Sequence, residues 1–450
     1  MHSIHHFYDS LVEADLKQSA SMIKWLDEEL LRQKCSFGDS VIPCFIKPYF
    51  LSAHDEEQLK KVTHKITNTL EKIVKAYFEY PELQSIFKLS KEEKQYVEMD
   101  PGYDKSIIIS RPDGFMVNGS VRFIEFNCDS PAGAGYSEVE EAILRRSPYL
   151  KELGKKYQWG RAHRLEGLLK AILVCWKQFS SKKNPQIAIV DWKHLRTYNE
   201  FVITKDYFES KGYSTVIADP RELKLRDGKL YCGDFRVDLI YRRVIFKELW
   251  AHKKEAGDLL KAYAKGKVCI VNPFRSKLAA NKAILSIMSN SAYDFLFTPE
   301  EIEIRDKYIP WTRRVIDAKK FYGGKNDYLK DLIIDHQKDL VLKPSEGYGG
   351  KDVMIGGEAS KKAWSQVLER ALRRDENWVV QEYVPIPTMK VPILKGNKVQ
   401  LVDKKVNLNP FVFGGNYVGS MSRLSNESVI NVSAGGGLIP AIKYSLKEKK

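Results

Sequence analysis

Cysteine is scarce in this 450-residue sequence. The six cysteines lie at positions 35, 44, 128, 175, 232 and 269, with no Cys-x-x-Cys pair and no cysteine–histidine cluster. This pattern disfavours both a disulfide framework and a structural zinc site, so we expect reduced, partly buried thiols. Cys128 has acidic neighbours, which raise the pKa of a thiol, and it is therefore not expected to act as a nucleophile.

Long apolar runs are also missing. The longest candidates, residues 171–176 and 187–192, are far shorter than the roughly 18–20 residues that cross a bilayer. The first residues, MHSIHHFYDSLVEADL, lack the basic and then apolar layout of a secretory signal. We therefore expect a cytoplasmic protein with no membrane partner.

The positive charge is not concentrated anywhere. Lysine and arginine exceed aspartate and glutamate to give a net charge of +15, but the excess is spread along the chain. No arginine-rich stretch with interleaved aromatic residues and no known nucleic-acid module is present, so no specific nucleic-acid partner is expected. A basic protein that binds nucleic acid remains an alternative, and its binding would depend steeply on salt. The oligomeric state cannot be inferred from these features.

Hydrophobic periodicity divides the chain into four segments and predicts a mixed α/β (α+β) protein. Apolar residues recur at helical spacing over 9–34 and 55–78, so residues 1–100 are predicted to form a helical N-terminal layer. Residues 101–160 are predicted to contain a hairpin centred on Asn118-Gly119, followed by a helix that begins near Ser137. Residues 161–266 alternate strand and helix, which indicates a parallel layer with a small hairpin at Asp227-Gly228.

Residues 267–450 form the fourth segment. Helices are predicted over 277–289, 326–336 and 359–373, and strands over 339–343, 352–355 and 377–382, followed by a strand-rich stretch at 388–433. This segment contains VLKPSEGYGGKDV, in which Lys343 ends a strand and a loop with Glu346, Gly347, Tyr348, Gly349 and Gly350 follows. Glycines let backbone N–H groups approach phosphate oxygens closely. The loop is neither a Walker A motif nor a Gly-x-Gly-x-x-Gly helix opening, and a plain hairpin tip is the alternative.

Two further motifs flank this loop in the sequence. Lys282 lies upstream in ANKAIL, and WVVQEYVP downstream ends a strand at Gln381, Glu382, Tyr383 and Val384. Such a strand end can offer backbone groups to an adenine edge and a carboxylate to a ribose. The order of lysine strand, glycine hairpin, helix and VQEYV edge resembles the nucleotide-binding half of the ATP-grasp superfamily. The closer resemblance is to the glutathionylspermidine synthase type, which also fits NVSAGGG near the C-terminus, although no amidase segment is recognised.

Four polar residues recur at two-residue spacing in the early hairpin. SRPDG contains Arg111 and Asp113, and FIEFN contains Glu125 and Asn127. Residues two apart in a strand point to the same face, so Glu125 and Asn127 can share one ion. A strict two-residue turn at Asn118-Gly119 would pair Asp113 with Ile124 and place the two carboxylates on opposite faces. The shared site therefore requires a three-residue loop at 118–120 or a bulge.

The Arg-x-Asp and Glu-x-Asn order resembles the metal and phosphate site of the glutathionylspermidine synthase-like proteins, in which the ATP-grasp is circularly permuted and its metal half comes first. The resemblance implies that residues 101–160 supply the metal-binding part, 161–266 a domain like a pre-ATP-grasp unit, and 267–450 the ATP-binding part. It implies that Asp113, Glu125 and Asn127 are Mg²⁺ ligands and that Arg111 touches the transferring phosphate or the tetrahedral oxyanion. Arg423, in GSMSRLS, either reaches a phosphate or is a surface arginine.

The resemblance implies an ATP-dependent carboxylate–amine ligase that forms an acyl phosphate and releases ADP and phosphate. ATP and Mg²⁺ would be the cofactors, and the substrates would be a small-molecule or peptide-like carboxylate and an amine. DSPAGAGY (129–136) either lines the acceptor pocket or caps the next helix. DWKHLRTYNEF (191–201) tops a strand of the α/β segment, a position where ligands often bind. The alternatives are an ATP-grasp nucleotide-binding protein without ligase activity and a simple kinase.

Overall fold

The computed structural model describes residues 2–316, 318–347, 349–373, 377–431 and 436–447. Its N-terminal layer is helical, as the apolar spacing predicts. The elements are α1 His2–Ala14, α2 Leu16–Arg32, β1 Ser36–Phe37, β2 Ser40–Val41, β3 Tyr49–Ser52, α3 Ala53–Glu79, α4 Pro81–Phe87 and α5 Lys91–Glu98. The single helix predicted over 9–34 is wrong. Asp15 leaves helical geometry there, and its side chain accepts a hydrogen bond from Gln18 N to cap α2.

The second segment contains the predicted hairpin and a helix. The elements are β4 Ile109–Val117, β5 Ser120–Asn127, α6 Ala134–Leu144, α7 Pro148–Leu153 and β6 Tyr157–Trp159. The helix begins at Ala134 with Gly133 as its N-cap, so the predicted start near Ser137 is wrong. Gly133 of the segment 129–136 therefore caps this helix, which agrees with one of the two interpretations of that segment.

The third segment is the predicted parallel layer. Its elements are α8 Arg164–Phe179, β7 Ile187–Val190, α9 Tyr198–Ser210, β8 Thr215–Ala218, β9 Leu223–Arg226, β10 Lys229–Cys232, β11 Phe235–Val237, β12 Leu239–Arg242, α10 Phe246–Ala251, α11 Gly257–Ala264 and β13 Cys269–Val271. Parallel pairing gives the order β13-β12-β7-β8. The Asp227-Gly228 hairpin joins β9 to β10, which confirms that prediction.

The remaining elements lie in the fourth segment. They are α12 Lys277–Ala280, α13 Ile284–Met288, α14 Pro299–Tyr308, β14 Thr312–Arg314, β15 Lys319–Tyr322, β16 Lys325–Tyr328, α15 Leu329–Asp335, β17 Leu340–Pro344, β18 Met354–Ile355, α16 Lys361–Leu372, β19 Trp378–Glu382, β20 Thr388–Lys395, β21 Lys398–Phe413, β22 Asn416–Ser425 and β23 Gly437–Leu446. Short 3₁₀ helices lie at 220–222, 274–276, 291–296, 337–339 and 356–358. An antiparallel sheet has the order β14-β19-β17-β18.

Two helix predictions in this segment are wrong. The helix predicted over 277–289 is interrupted at Asn281, whose backbone is extended, because Lys282 N donates to Ser345 O instead of continuing the helical ladder. The helix predicted over 326–336 begins only at Leu329, because the preceding residues pair in the β15–β16 hairpin. Both corrections arise from contacts outside the local sequence.

The largest sheet joins residues that are far apart in the chain. Its order is β3-β23-β22-β21-β4-β5, with β20 paired to β21 and β6 paired to β23. Leu408 in β21 lies opposite Gly114 in β4, and Asn407 lies opposite Arg423 in β22. The C-terminal strands therefore complete the sheet of the early hairpin and bring their polar residues to it. Among the described residues, no helix is long and apolar enough to cross a membrane.

One buried carboxyl group in this fold predicts a pH-dependent stability. Glu140 in α6 is fully buried, and within the described part of the chain neither of its oxygens has a hydrogen-bond partner. Burial raises the pKa of Glu140 to about 8, opposed by Arg164 and reinforced by Glu200. The raised pKa gives stability that is complete below the unfolded-state value, about 4.3, and is lost as the pH rises towards 8.

We expect Glu140→Gln to remove this loss, because the amide cannot ionise. The cost to the wild type is on the order of 3 kcal/mol by pH 7. Urea unfolding of both proteins at pH 5 and pH 8 measures this cost. The variant should gain much more stability relative to the wild type at pH 8 than at pH 5. Glu369→Gln, on the exposed face of α16, is the matched control. An equal effect of Glu140→Gln at both pH values would contradict the prediction.

Candidate functional site

The early hairpin carries a bulge that places its two carboxylates side by side. Asn118 and Gly119 have φ values of 51° and 77°, as a tight two-residue hairpin turn requires, and Val117 pairs with Ser120. The register then shifts, so that Gly114 pairs with Phe123 but Asp113 pairs with Glu125. Ile124 is the extra residue of the bulge. The bulge alternative is confirmed, and the three-residue loop is not formed.

The same register aligns the other predicted pair, since Arg111 lies opposite Asn127. Asn127 Nδ2 donates to Arg111 O at 3.2 Å, which leaves the carboxamide oxygen for another partner. Arg111 Nε lies 3.3 Å from Asp113 Oδ1, and its Nη1 donates to Ala132 O at 2.7 Å. All four hairpin residues predicted for the site therefore lie together on one face.

Asp113 is the most enclosed member of this group, with 1% of its surface exposed. Asn409 Nδ2 donates to Asp113 Oδ1 at 2.8 Å, and Arg423 Nη2 donates to Oδ2 at 2.5 Å. Arg423 N in turn donates to Asn407 Oδ1 at 3.0 Å. Arg423 is therefore paired with Asp113 and is not a free surface arginine, and its contact with a phosphate stays a prediction.

Lys282 connects the hairpin to the glycine loop. Its Nζ lies 3.3 Å from Glu125 Oε2 and donates to Gly347 O at 2.7 Å. Burial alone would raise the pKa of Glu125, but Lys282 and the neighbouring cations outweigh it and hold that pKa well below the usual range. Glu125 is therefore an anion in the free protein. The helix break at Asn281 is what allows Lys282 to reach this position.

On the opposite side, Lys343 is held by the sheet β14-β19-β17-β18. Its Nζ donates to Gln381 Oε1 at 2.7 Å, and Gln381 Nε2 donates to Thr312 Oγ1 at 2.9 Å. Only 6% of the lysine surface is exposed. The pKa of Lys343 is lowered to about 8. Burial is the main cause, Glu125 opposes it, and Lys282 adds to it. The lysine is consequently charged below that pH and poised to lose its proton just above it.

The glycine loop closes tightly over neighbouring segments. Gly350 has a φ of 73°, and a Cβ there would lie 2.1 Å from Val429 Cγ1, so a side chain would not fit. Asn431 Nδ2 donates to Gly349 O at 2.8 Å. Gly347 and Gly349 line the cavity described below, whereas Tyr348 lies outside the described residues.

Two cavities meet at this cluster. The smaller, of about 100 Å³, is bounded by the bulged Ile124, by Lys343 and by the strand end; the predicted residues along it are Gly349, Gly350, Gln381, Glu382, Tyr383 and Val384. Phe115, Val384 and Ile430 form a small apolar cluster along it. Glu382 Oε2 accepts from Arg122 Nη2 at 3.2 Å and from Trp311 N at 3.3 Å.

The larger cavity has a volume of about 510 Å³, which is in the range of small-molecule sites. The predicted acceptor segment and the predicted ligand-binding strand end both contribute to it: Ser130, Pro131, Ala132, Gly133 and Tyr136 from 129–136, and Asp191, Leu195 and Thr197 from 191–201. Glu346 also faces this cavity and not the smaller one. Its Oε1 lies 3.1 Å from Lys277 Nζ and accepts from Asn281 Nδ2 at 3.2 Å.

Several residues of the cluster were not predicted from the sequence. Asn407 and Asn409 hold Arg423 and Asp113, Thr312 holds Gln381, and Lys277 holds Glu346. The two asparagines repeat the two-residue spacing of the hairpin, in NLNP, and that spacing was the one signal that could have identified them. Thr312 and Lys277 carry no comparable signal, because their role depends on strand pairing and on the helix break.

The oxygen set is chemically suited to a divalent cation such as Mg²⁺. Asp113 and Glu125 are in register, and the carboxamide oxygen of Asn127 is the third candidate ligand. The described residues contain no group of three or more His, Cys, Asp or Glu that could hold a metal, so the amide is needed to complete the set. Lys282 pairs with Glu125, and Arg423 pairs with Asp113. A bound phosphate would compete with the carboxylates for these two cations.

The thiols take no part in this site. All six cysteines are free, and Cys128 is fully buried. Burial raises its pKa, with further increases from Glu71 and Asp129. The prediction that Cys128 is not an activated nucleophile is confirmed.

Comparison with known proteins places this site in a known sequence family. The profile of the family described as circularly permuted ATP-grasp type 2 matches residues 113–425. An uncharacterized protein of Mycobacterium leprae is 26% identical over 360 residues, which cover 74% of this chain and 59% of that protein. A protein of Frankia casuarinae, provisionally named glutamate–cysteine ligase 2-2, is 26% identical over 338 residues, covering 71% of this chain and 36% of the relative. This chain therefore spans less than two thirds of the length of these relatives.

A solved structure has a similar fold. The apo form of a glutathione synthetase-like effector from Globodera pallida aligns with a TM-score of 0.65 at 11% sequence identity, covering 96% of this chain and 97% of that one. At this level of identity the likeness concerns the fold alone. It agrees with the mixed helix and sheet architecture described above.

Proposed function

Because this chain belongs to the circularly permuted ATP-grasp type 2 family, we propose that it is an ATP-dependent ligase that joins a carboxylate to an amine. One observation carries the proposal. The smaller cavity, beside the strand end, and the larger cavity, beside the parallel sheet, share Glu125, Gly349 and Arg423. A nucleotide in the first and a carboxylate in the second would therefore meet at the carboxylate pair, beside the cations that phosphate transfer requires.

The lining of the smaller cavity suits different parts of ATP, and because its volume of about 100 Å³ is below the range of small-molecule sites, the nucleotide would have to widen it. The apolar residues around Ile124 and Val384 would contact the adenine ring, and the backbone of 382–384 would contact its edge. Glu382 would accept hydrogen bonds from the ribose hydroxyls. Lys343 and Lys282 would hold phosphate oxygens, and the loop at 346–350 would cover them and exclude water.

The hairpin would hold the metal ion. Asp113, Glu125 and Asn127 would supply its oxygens, and a bound Mg²⁺ would supply positive charge that offsets the charge of the phosphates. Arg423 and Lys282, which now pair with those carboxylates, would turn to the phosphates. Arg111 faces the larger cavity and would stabilise charge on the transferring phosphate or on the tetrahedral oxyanion.

The proposed reaction has two steps. A carboxylate oxygen bonds to the γ-phosphorus as the bond to ADP breaks, which gives an acyl phosphate. The amine, which first releases a proton to solvent if it arrives as an ammonium group, then bonds through its nitrogen to the carbonyl carbon, phosphate leaves with the bonding electrons, and the nitrogen releases one further proton. The name of the Frankia relative makes glutamate and cysteine the first pair to test, and the resemblance to glutathionylspermidine synthases adds peptide carboxylates and polyamines.

The experiment that tests this proposal does not require the natural amine. Purified protein is incubated with ATP, Mg²⁺, single carboxylates and hydroxylamine, a small neutral amine that converts acyl phosphates to hydroxamates. A ligase should release ADP and form hydroxamate in equal amounts with at least one carboxylate. ATP binding without ADP release would favour a nucleotide-binding protein, and phosphorylation of a hydroxyl group without hydroxamate would favour a kinase. Absence of ATP binding with salt-dependent retention on DNA or RNA would favour the nucleic-acid alternative.

A further inference from the structure

One wall of the larger cavity carries a buried carboxylate with few partners. Asp191 directly follows β7, at the carboxyl end of the parallel sheet, where ligands of such sheets bind. Only 7% of its surface is exposed. Trp192 N donates to Asp191 Oδ1 at 2.8 Å, and within the described part of the chain no other donor or cation contacts this carboxylate. A buried carboxylate without a cationic partner is costly unless it serves a ligand.

The two arginines whose charges act on Asp191 are engaged elsewhere. Arg242 Nη2 lies 2.5 Å from Asp129 Oδ1, and its other nitrogens donate to backbone carbonyls. Arg243 Nη1 donates to Pro131 O at 2.6 Å, and its Nη2 lies 3.9 Å from Glu200 Oε2. Neither forms an ion pair with Asp191. Both lower the pKa of Asp191, but burial outweighs them, so their charges offset that of Asp191 only in part.

Charges of both signs line the cavity. Arg111, Lys282 and Arg423 lie beside the carboxylate pair of the hairpin, where phosphate would be transferred. Asp191 lies on the wall from the parallel sheet, together with Arg243 and with Lys247 and Glu248 from α10. Within the described part of the chain Asp191 forms no ion pair, so a cationic group that enters the cavity would be attracted to it.

We propose that Asp191 binds the ammonium group of the amine substrate, so that the cavity selects a primary or secondary amine that arrives protonated. This inference rests on the proposed ligase function. It makes Asp191 a determinant of specificity for the second substrate and assigns it no role towards ATP.

The titration of Asp191 sets the pH range of this binding. The pKa of Asp191 is raised to about 6, mainly by burial. Arg243, the N–H of Trp192 and Arg242 oppose this rise, and Glu248 adds to it. These are the charged groups that face it from α10 and from the end of β12. The carboxylate is charged above that pH, so ammonium binding should weaken as the pH falls through 6.

A matched pair of probes tests the inference. L-alaninamide carries an ammonium group where L-lactamide carries a hydroxyl, and the two are otherwise the same size. Their affinities are measured by ligand-observed NMR on the whole chain, with and without Mg²⁺ and a non-hydrolysable ATP analogue. We expect the wild type to bind L-alaninamide at least 10-fold more tightly at pH 7.5 and to lose this preference at pH 5. Asp191→Asn should lack the preference at both pH values, and Asp191→Glu should retain part of it.

The controls separate this inference from the ligase proposal. Nucleotide affinity should be unchanged in Asp191→Asn, which also shows that the variant is folded, and Asp335→Asn on the surface should behave as the wild type. Equal affinity for the two probes in the wild type, or a preference that persists in Asp191→Asn, would overturn the role of Asp191 even if ATP binds. Loss of nucleotide binding in the wild type would instead overturn the ligase proposal, and the probe preference would still be measured.

Discussion

Replacement of Glu125 by alanine should reduce the rate of ADP release by about 10³-fold and abolish the Mg²⁺ dependence of ATP binding, because it removes one of two in-register carboxylates. Asp113 and Asn127 would remain as ligands, but the set would have lost one of its two carboxylates. Lys282 would lose its anionic partner and stay charged beside the phosphates, so ATP binding without metal should be weakened little. The effect on the rate should therefore exceed the effect on metal-free affinity.

Calorimetric titration of ATP with and without Mg²⁺ separates these two effects. The matched control is Glu369→Ala, an exposed carboxylate of α16, which should bind and turn over like the wild type. Retention of the Mg²⁺ dependence by Glu125→Ala would show that the hairpin does not hold the metal. In that case the assignment of Asp113 and Asn127 as ligands would also have to be abandoned.

Replacement of Lys343 by methionine should weaken ATP binding by about 100-fold, or roughly 2.7 kcal/mol. The methionine fills a similar volume but removes a buried charge, and it leaves Gln381 Oε1 without its donor. The wild-type pKa of about 8 adds a pH signature. Since only the charged lysine attracts phosphate, wild-type affinity should be constant below pH 8 and fall above it, whereas the variant should lack this fall.

ATP titrations of both proteins from pH 7 to pH 9 measure the affinity and its slope together. Lys338→Met changes an exposed lysine five residues earlier and should leave both unchanged. A wild-type affinity that does not change across this range would show that Lys343 does not contact the phosphates in its charged form. A fall of equal slope in Lys343→Met would assign the titration to another group.

The sequence predicted those parts of the site that depend on short spacing. Period-two spacing linked Arg111 with Asp113 and Glu125 with Asn127. The resemblance to the glutathionylspermidine synthase-like proteins then joined the two pairs into one expected site. The need for an irregular register was also predictable, since the turn chemistry of Asn118-Gly119 conflicted with a shared site. What could not be predicted was which irregularity occurs, because turn and bulge satisfy the same pattern.

Long-range contacts account for the rest. Asn409 and Arg423 meet Asp113 across a sheet whose strands are about 300 residues apart in sequence, and no local pattern encodes that pairing. The helix predicted over 277–289 failed for the same reason, because its interruption at Asn281 depends on Ser345 O. Local periodicity correctly indicated apolar faces in 9–34 and 326–336. It did not show that Asp15 divides the first helix in two, or that the β15–β16 hairpin delays the start of the second.

The bulge at Ile124 has a consequence for how the hairpin can change in length. Strand side chains alternate sides, so whether two residues of a hairpin share a side depends on whether the number of residues between them is odd or even. With the two-residue turn kept, Asp113 and Glu125 pair only because the bulge takes up Ile124. Deletion of Ile124 would keep the two carboxylates opposite each other in a regular ladder, whereas one further residue without a second bulge would place them on opposite sides. Most surface loops tolerate single insertions and deletions. Here the parity of the chain length, and not only the identity of its residues, is part of the chemistry.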